Sequence, residues 1–323
     1  MATVFTIGEA LIDWVPAQRG VELKQVESFT KAAGGAPANV ACAVAVLGGS
    51  SAFIGKLGED AFGDFLVETM SAAGVDTSRV LRTKEANTAM AFVSLRADGN
   101  RDFSFYRNPS ADMLLRADEI GSPFKSGDVL HFCSVDLIDA PVKEAHREAI
   151  RKCREAGGIV SFDPNVRLPL WPDPESCRRA ILEFLPLAHL VKISDEELAF
   201  ITGIQDEEEA LQALFTGDVR HIIYTRGPAG AVWLSREFRT EVTGHSVQTV
   251  DTTGAGDAFI GALLYGLHRQ PNFLEGITEH FAATLLAFAN AAAAITTTRP
   301  GAIAALPSPE EIEQLLAQNT KAL

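Results

Sequence analysis

The chain is 323 residues long and carries 28 basic against 42 acidic side chains, a formal net charge of -14 at neutral pH. With 47% hydrophobic and 22% charged residues it has the material for a large core and lacks the low-hydropathy signature of disorder. The acidic balance argues against an extended footprint on nucleic acid or on an anionic membrane surface, since either needs clustered Lys and Arg; a local basic pocket for a small anion is still allowed.

Short apolar runs alternate with amphipathic stretches, the pattern of a parallel sheet with helices on both faces. In chain order the expected central strands are 4–7, 52–55, 129–132, 159–162, 190–193 and 222–225. Helices are expected at 38–47, at 60–73 ended by Gly74, at 141–156 ended by Gly157, and at 196–201 ended by Gly203. Glycine past a helix end supplies the left-handed residue that terminates it. No basic stretch precedes an apolar core at the start, and Glu9 and Asp13 interrupt the place of a signal peptide, so secretion is unsupported and a cytoplasmic location is expected. Cys42, Cys133, Cys153 and Cys177 are widely spaced and read as reduced, buried thiols. The longest apolar run, 281–295, is interrupted by Thr284 and Asn290 and reads as a buried helix too short to cross a bilayer.

One region breaks the alternation. Residues 88–96 and 101–107 read as strands joined across Asp98-Gly99, a good hairpin turn pair, with Phe103 and Phe105 on one face. Residues 16–31 are available to pair with it. The expectation is a single α/β body over 1–323 with a small β lid formed by about 14–32 and 87–110.

Several strands run into polar residues: Asp163-Pro164-Asn165, Ser194-Asp195-Glu196 and Thr225-Arg226-Gly227. Ligands of open α/β sheets collect at the carboxyl ends of strands, so these three clusters are expected to converge. The most informative stretch is Asp251-Thr252-Thr253-Gly254-Ala255-Gly256-Asp257, ahead of a helical segment at 258–268. Small residues before a helix leave amides free to face an anion, with the positive end of the helix dipole behind them. A plain loop-to-helix turn explains a lone G-x-G as well. A Walker A loop is excluded because no Gly-Lys followed by Ser or Thr occurs, and the dinucleotide fingerprint fails at Phe259 and at the polar residues before Gly254. Asp257 beside an anion cradle suits phosphoryl transfer, in which donors stabilise the moving group while a carboxylate takes the acceptor's proton. Its ordinary explanation is helix N-terminal charge stabilisation, worth about 0.3–1 kcal/mol. A second cluster, Gly34-Gly35-Ala36-Pro37-Ala38-Asn39, opens an Ala/Val-rich helix that ends at Gly48-Gly49. Its glycines permit either close ligand approach or tight helix packing. Asn39 reads as a ligand partner or an internal cap.

These two segments, in this order and about two hundred residues apart, resemble the paired signatures of the ribokinase-like PfkB family of carbohydrate kinases. The similarity covers essentially the whole chain, including Ile54 to Asp60 with Phe62-Gly63, Thr225 to Gly230, and Thr298 to Ala302. It implies a three-layer α/β/α sandwich with a mainly parallel central sheet and a small β-sheet lid, and ATP-dependent phosphorylation of a sugar hydroxyl. Carried over by motif, Asp257 is the base and the amides of Gly254, Ala255 and Gly256 hold the transferred phosphoryl. Asp13, Gly34, Gly35 and Asn39 match sugar contacts, with Phe105, Arg107 and Arg167 added to the substrate side. Ser194, Glu197, Thr225, Gly227, Gly230 and Asn290 match the ATP side, Glu197 also organising magnesium through water; Ser194 replaces the family's Asn. Oxygens near Asp251, Thr253, Thr296, Arg299 and Gly301 match a monovalent cation site, which makes potassium a further expected cofactor, although Ala305 stands where a hydroxyl is usual. Family members often dimerise through the lid, and a homodimer using Phe103 and Phe105 is expected.

Residues 105–113 and 161–171 most resemble fructokinases, which implies D-fructose as acceptor. Arg107 and Arg167 facing the site instead suit a carboxylate, and so 2-keto-3-deoxygluconate, with ribokinase activity further behind; Arg107 closing a lid contact and Arg167 neutralising ATP phosphates suit a neutral sugar such as fructose. A catalytically silent sugar- or nucleotide-binding protein is the alternative of another class; intact Asp257, Gly254 and Gly256 speak against it.

Overall fold

The structure, a computed structural model, describes residues 2–18, 20–95, 101–270 and 276–320. Its frame is a nine-stranded sheet in the order β13-β12-β11-β10-β9-β8-β1-β4-β5. The strands are β1 (Val4–Ile7), β4 (Ser51–Gly58), β5 (Asp76–Thr83), β8 (Val129–Cys133), β9 (Ile159–Asp163), β10 (Leu190–Ser194), β11 (His221–Thr225), β12 (Ala231–Leu234) and β13 (Arg239–Val242). All pairings are parallel except those of β12 and β13, which return antiparallel at one edge. The chain leaves β1 toward β4 on one side and later resumes at β8 on the other. That reversal of strand order opens a crevice above β1, where ligands of such sheets bind.

Helices cover both faces because the central strands are apolar on both. Phe5, Ile7, Phe132, Phe162 and Ile193 pack against α3 (Pro141–Glu155), α4 (Pro174–Phe184), α5 (Asp195–Thr202) and α6 (Glu207–Ala213). Val4, Val129, Leu190 and Ile223, one residue out of phase, pack on the other face. The helices there are α1 (Ala36–Val46), α7 (Ala255–Leu267), α8 (Glu279–Thr297) and α9 (Pro309–Thr320). The apolar run expected as a short helix is therefore longer: α8 has 19 residues and is long and apolar enough to span a bilayer by length alone. Its placement comes instead from packing, since Ala282, Leu285, Leu286 and Ala289 are buried against the α7 side of the core. All four cysteines are free and buried.

A second sheet has the order β3-β2-β6-β7, from β2 (Leu11–Pro16), β3 (Phe29–Gly34), β6 (Met90–Leu95) and β7 (Arg101–Tyr106). The segments expected to pair do so, with β2 running parallel to β6 and antiparallel to β3. The sheet reaches closer to β1 than the expected 14–32, starting at Leu11 and returning through Gly34. The Asp98-Gly99 turn lies outside the described residues, as does the side chain of Phe103. Phe105 sits on the face of Asp13 and Ala91 and packs with Leu11 and Ala89, so it points to the body and not to a dimer partner. The other face carries Trp14, Phe29, Phe92 and Tyr106 in mutual ring contact, with Trp14 edge-on to Phe62 of α2 (Ala61–Ala72).

Candidate active site

The first turn of α7 lies over the carboxyl ends of β9 and β10. Gly254 begins it with φ +74°, and a Cβ there would lie 2.6 Å from the Cβ of Ala302, so only glycine fits this left-handed, crowded entry. The Ala255 amide donates to the Thr252 carbonyl at 3.3 Å. Of the three amides expected to hold a phosphoryl group, this one closes the turn. Asp257 follows in the same turn, and its Oδ2 accepts from Asn39 Nδ2 at 2.8 Å. Asn39 is on the first turn of α1, so the two glycine segments, 218 residues apart at these positions, meet side chain to side chain.

Burial raises the Asp257 pKa, against the hydrogen bond from Asn39 and the positive charges of Arg167 and Lys192. Asp13, reached from β2, is pushed up to about 6, first by burial, then by the negative charge of Asp257, against Arg167. Two carboxyls and one guanidinium thus share a small volume, with Arg167 itself exposed at the rim. Gly34 keeps that volume open: a Cβ there would lie 2.0 Å from Asp13 Oδ2. Gly35, at φ +99°, brings backbone against the Glu9 carbonyl, where a Cβ would meet it at 2.5 Å.

Lys192 was not singled out from the sequence, yet it is central. It projects from β10 toward α7, its Nζ donates to Asp163 Oδ2 at 2.7 Å, and both residues are buried. A Cβ on Gly256 would sit 3.3 Å from that Nζ, so the ammonium lies directly under the cradle. A lysine inside an otherwise apolar run, Leu190-Val191-Lys192-Ile193, was the signal available.

The three strand-end clusters do lie side by side, since β9, β10 and β11 are neighbours and Ser194 pairs with Thr225. Glu197 brackets them: its Oε1 accepts from the Val166 amide at 2.7 Å and its Oε2 from the Ser194 amide and hydroxyl at 3.0 and 2.8 Å. Nearby Lys192 and these bonds hold its pKa low despite burial. Thr225 Oγ1 donates to the Ile193 carbonyl at 3.4 Å. Gly227, at φ +50°, has open space where a side chain would project. Arg226 turns away to Glu241. Gly230 and Asn290 have packing roles: a Cβ on Gly230 would lie 2.1 Å from the Val242 carbonyl, and Asn290 donates to the carbonyls of Val242 and Thr243 at 3.1 and 3.3 Å.

Behind the cradle, Asp251 laces two segments together. Its Oδ1 accepts from the Thr253 amide and hydroxyl at 2.9 and 2.7 Å, and its Oδ2 from the Gly301 amide at 3.0 Å. The amides of Val250 and Asp251 donate to the Thr297 carbonyl. The Thr296 hydroxyl is buried and spent on the Ala292 carbonyl at 2.9 Å, and Arg299 is paired with Glu311, so neither side chain is presented as a cation ligand. Among the described residues no cluster of three His, Cys, Asp or Glu side chains is arranged to hold a metal.

Arg107 corrects an expectation. Its guanidinium is buried and held by Asp112 and Asp136, with Nε donating to Asp112 Oδ2 at 3.0 Å, so it offers no free fork to a substrate carboxylate. Phe105 and Arg107 line a cleft of about 740 Å³ together with Leu137, Leu170 and Trp171.

A family model described as pfkB family carbohydrate kinase matches residues 1–309. Fructokinase-1 of Zea mays is 47% identical over 315 residues, which cover 97% of each chain. A double mutant of fructokinase from Vibrio cholerae O395, with fructose, ADP and potassium ion bound, superposes with a TM-score of 0.89 at 36% identity over 98% of both chains. The fructokinase of Xylella fastidiosa with bound ATP superposes with a TM-score of 0.87 at 37% identity, covering 98% of this chain and 99% of that one.

Proposed function

The chain belongs to the pfkB family of carbohydrate kinases, and from that premise we propose that it is a fructokinase, transferring the γ-phosphoryl of ATP to D-fructose to give fructose 6-phosphate and ADP. The observation that carries the reading is the meeting of Asp257 with Asn39 and Asp13 beneath the start of α7. Asn39 fixes Oδ2 of Asp257, so the proton of the acceptor hydroxyl is taken at Oδ1. Its raised pKa makes it a better acceptor for that proton than an ordinary surface carboxylate. Asp13 and the 34–39 loop hold the remaining sugar hydroxyls, and the small sheet acts as a lid over them. The α7 N-terminus and Lys192 supply positive potential where charge moves during transfer.

ATP supplies the phosphoryl group, on the side of Ser194, Thr225 and the open face of Gly227. Magnesium, when bound, neutralises the phosphate oxygens, with Glu197 ordering its surroundings. A potassium ion would be held by oxygens of the 251–253 and 296–301 segments, which Asp251 already laces together, and would stiffen the cradle. A homodimer uses the half-buried aromatic face of the lid, where Tyr106 is the exposed ring, and sedimentation at micromolar concentration tests it. The buried thiols suit a reducing cytoplasm.

A coupled ADP-release assay with ATP, magnesium and potassium, run on D-fructose, D-ribose and 2-keto-3-deoxygluconate, tests the substrate. Fructose preferred by orders of magnitude supports the reading. Preference for either other acceptor overturns the substrate, and silence on all three overturns the kinase.

A further inference from the structure

At the foot of the lid lies a buried charge cluster that the transfer step does not use. Arg107 follows β7, and its guanidinium is clasped by Asp112 and by Asp136, which follows β8. The three side chains are at most 4% exposed. Ser110 donates its hydroxyl to Asp112 Oδ1. Glu9 joins from the end of β1, where its Oε1 accepts from the Ala36 amide at 3.1 Å. Glu9 Oε2 and Asp136 Oδ2 have no hydrogen-bond partner among the described residues.

The cluster belongs to the acceptor side of the cleft. A Cβ on Gly8 would touch Pro37 of the 34–39 loop at 2.7 Å and lie 3.7 Å from Asp136 Oδ2. Phe105, two residues before Arg107, shares its face with Asp13 through Ala91. One guanidinium therefore faces three carboxyl groups next to where the sugar binds. Crowding pushes the carboxyl of Glu9 up to about 7 and that of Asp136 above its usual range, chiefly through burial, so even with protons taken up the group offers no net positive charge.

We propose that Asp136, by occupying Arg107, is a specificity-determining residue that sets this cleft for neutral sugars and against sugar acids. The inference rests on the sugar-kinase reading above. A carboxylate entering the cleft loses hydration and needs cation forks to replace it; Arg167 at the rim is one, and the buried fork of Arg107 is already filled.

The test compares wild type with Asp136→Asn on D-fructose and 2-keto-3-deoxygluconate by coupled ADP release. Asn keeps the size and removes one of the negative charges that neutralise Arg107, so the ratio of kcat/KM for the keto-acid over fructose is expected to rise by about tenfold or more, through a lower keto-acid KM. A ratio unchanged within about threefold, or a parallel fall on both acceptors, overturns the inference. Wild-type turnover of fructose judges the fructokinase reading by itself, and the ratio is read with whichever neutral sugar the wild type accepts. Should Asp136→Asn fail to fold, Asp136→Ser, which shortens the side chain away from Arg107 and leaves the Asp112 pair in place, is read by the same ratio. It is expected to raise the keto-acid to fructose ratio of kcat/KM by about tenfold or more, and an unchanged ratio overturns the proposal.

Discussion

Replacing Asp13 by Asn is expected to stabilise the protein while removing sugar binding. The Asp13 carboxyl is pushed from 3.8 to about 6 by burial and by the neighbouring Asp257. A carboxyl whose pKa is raised on folding costs little at and below its unfolded value of 3.8, and nothing once it is protonated in both states. The cost grows between pH 4 and 6 and is complete above about 6. The full difference corresponds to about 3 kcal/mol, and because Asp13 keeps some contact with solvent, screening reduces this to about 2 kcal/mol. At about 2.1 cal/mol/K per residue, 323 residues give an unfolding entropy of about 0.7 kcal/mol/K, so 2 kcal/mol moves Tm by about 3 °C. Scanning calorimetry of wild type and Asp13→Asn at pH 4 and pH 7.5 should show coincident Tm values at the lower pH and the variant about 3 °C higher at the upper. Saturating fructose should reverse the order, since only wild type gains binding energy. A Tm gap independent of pH, or a less stable variant at pH 7.5, would refute the electrostatic reasoning.

Gly254→Ala places a Cβ 2.6 Å from Ala302 at φ +74°, and should lower stability by about 1–3 kcal/mol with a fall in kcat; wild-type urea midpoint and turnover would remove the steric argument. Lys192→Met leaves Asp163 buried without its cation and should cost about 3–5 kcal/mol, while Lys192→Met with Asp163→Leu should recover stability but not activity. Recovery of turnover in that pair would show that Lys192 acts only in folding. For the pH profile, activity requires Asp257 deprotonated and its pKa is raised, so kcat/KM should fall on the acid side at a pH above the 3.8 of an ordinary Asp. An acid limb at or below pH 4 would contradict the environment described for Asp257.

Much of the frame is legible in the sequence because fully buried parallel strands are continuous apolar runs: Val4–Ile7 and the cores of β8 to β11 emerge from periodicity alone. Asp76–Thr83 does not, since this edge strand is half-exposed and polar at several positions. α7 starts about a turn before the expected 258 because Gly254 adopts the left-handed entry, so Ala255 and Gly256, which pattern as loop residues, are already helical. Asp257 and Asn39 carry a recognisable spacing, but their hydrogen bond spans the chain and no local pattern predicts it. The two readings of Arg107 are not separable in the sequence for the same reason: Asp112 is near, but Asp136, which fills the other side of its guanidinium, is 29 positions away on another strand end. Phe105 was assigned a face correctly by alternation, yet alternation does not say which face looks inward.

The central claim is that Asp257 is the base of a phosphoryl transfer, and Asp257→Asn tests it most directly, with turnover and ATP affinity measured on the same preparation. The expected result is a loss of about 10²–10⁴ in kcat on fructose with the ATP Kd from calorimetry nearly unchanged. Turnover close to wild type, in a folded variant that still binds ATP, would contradict the account.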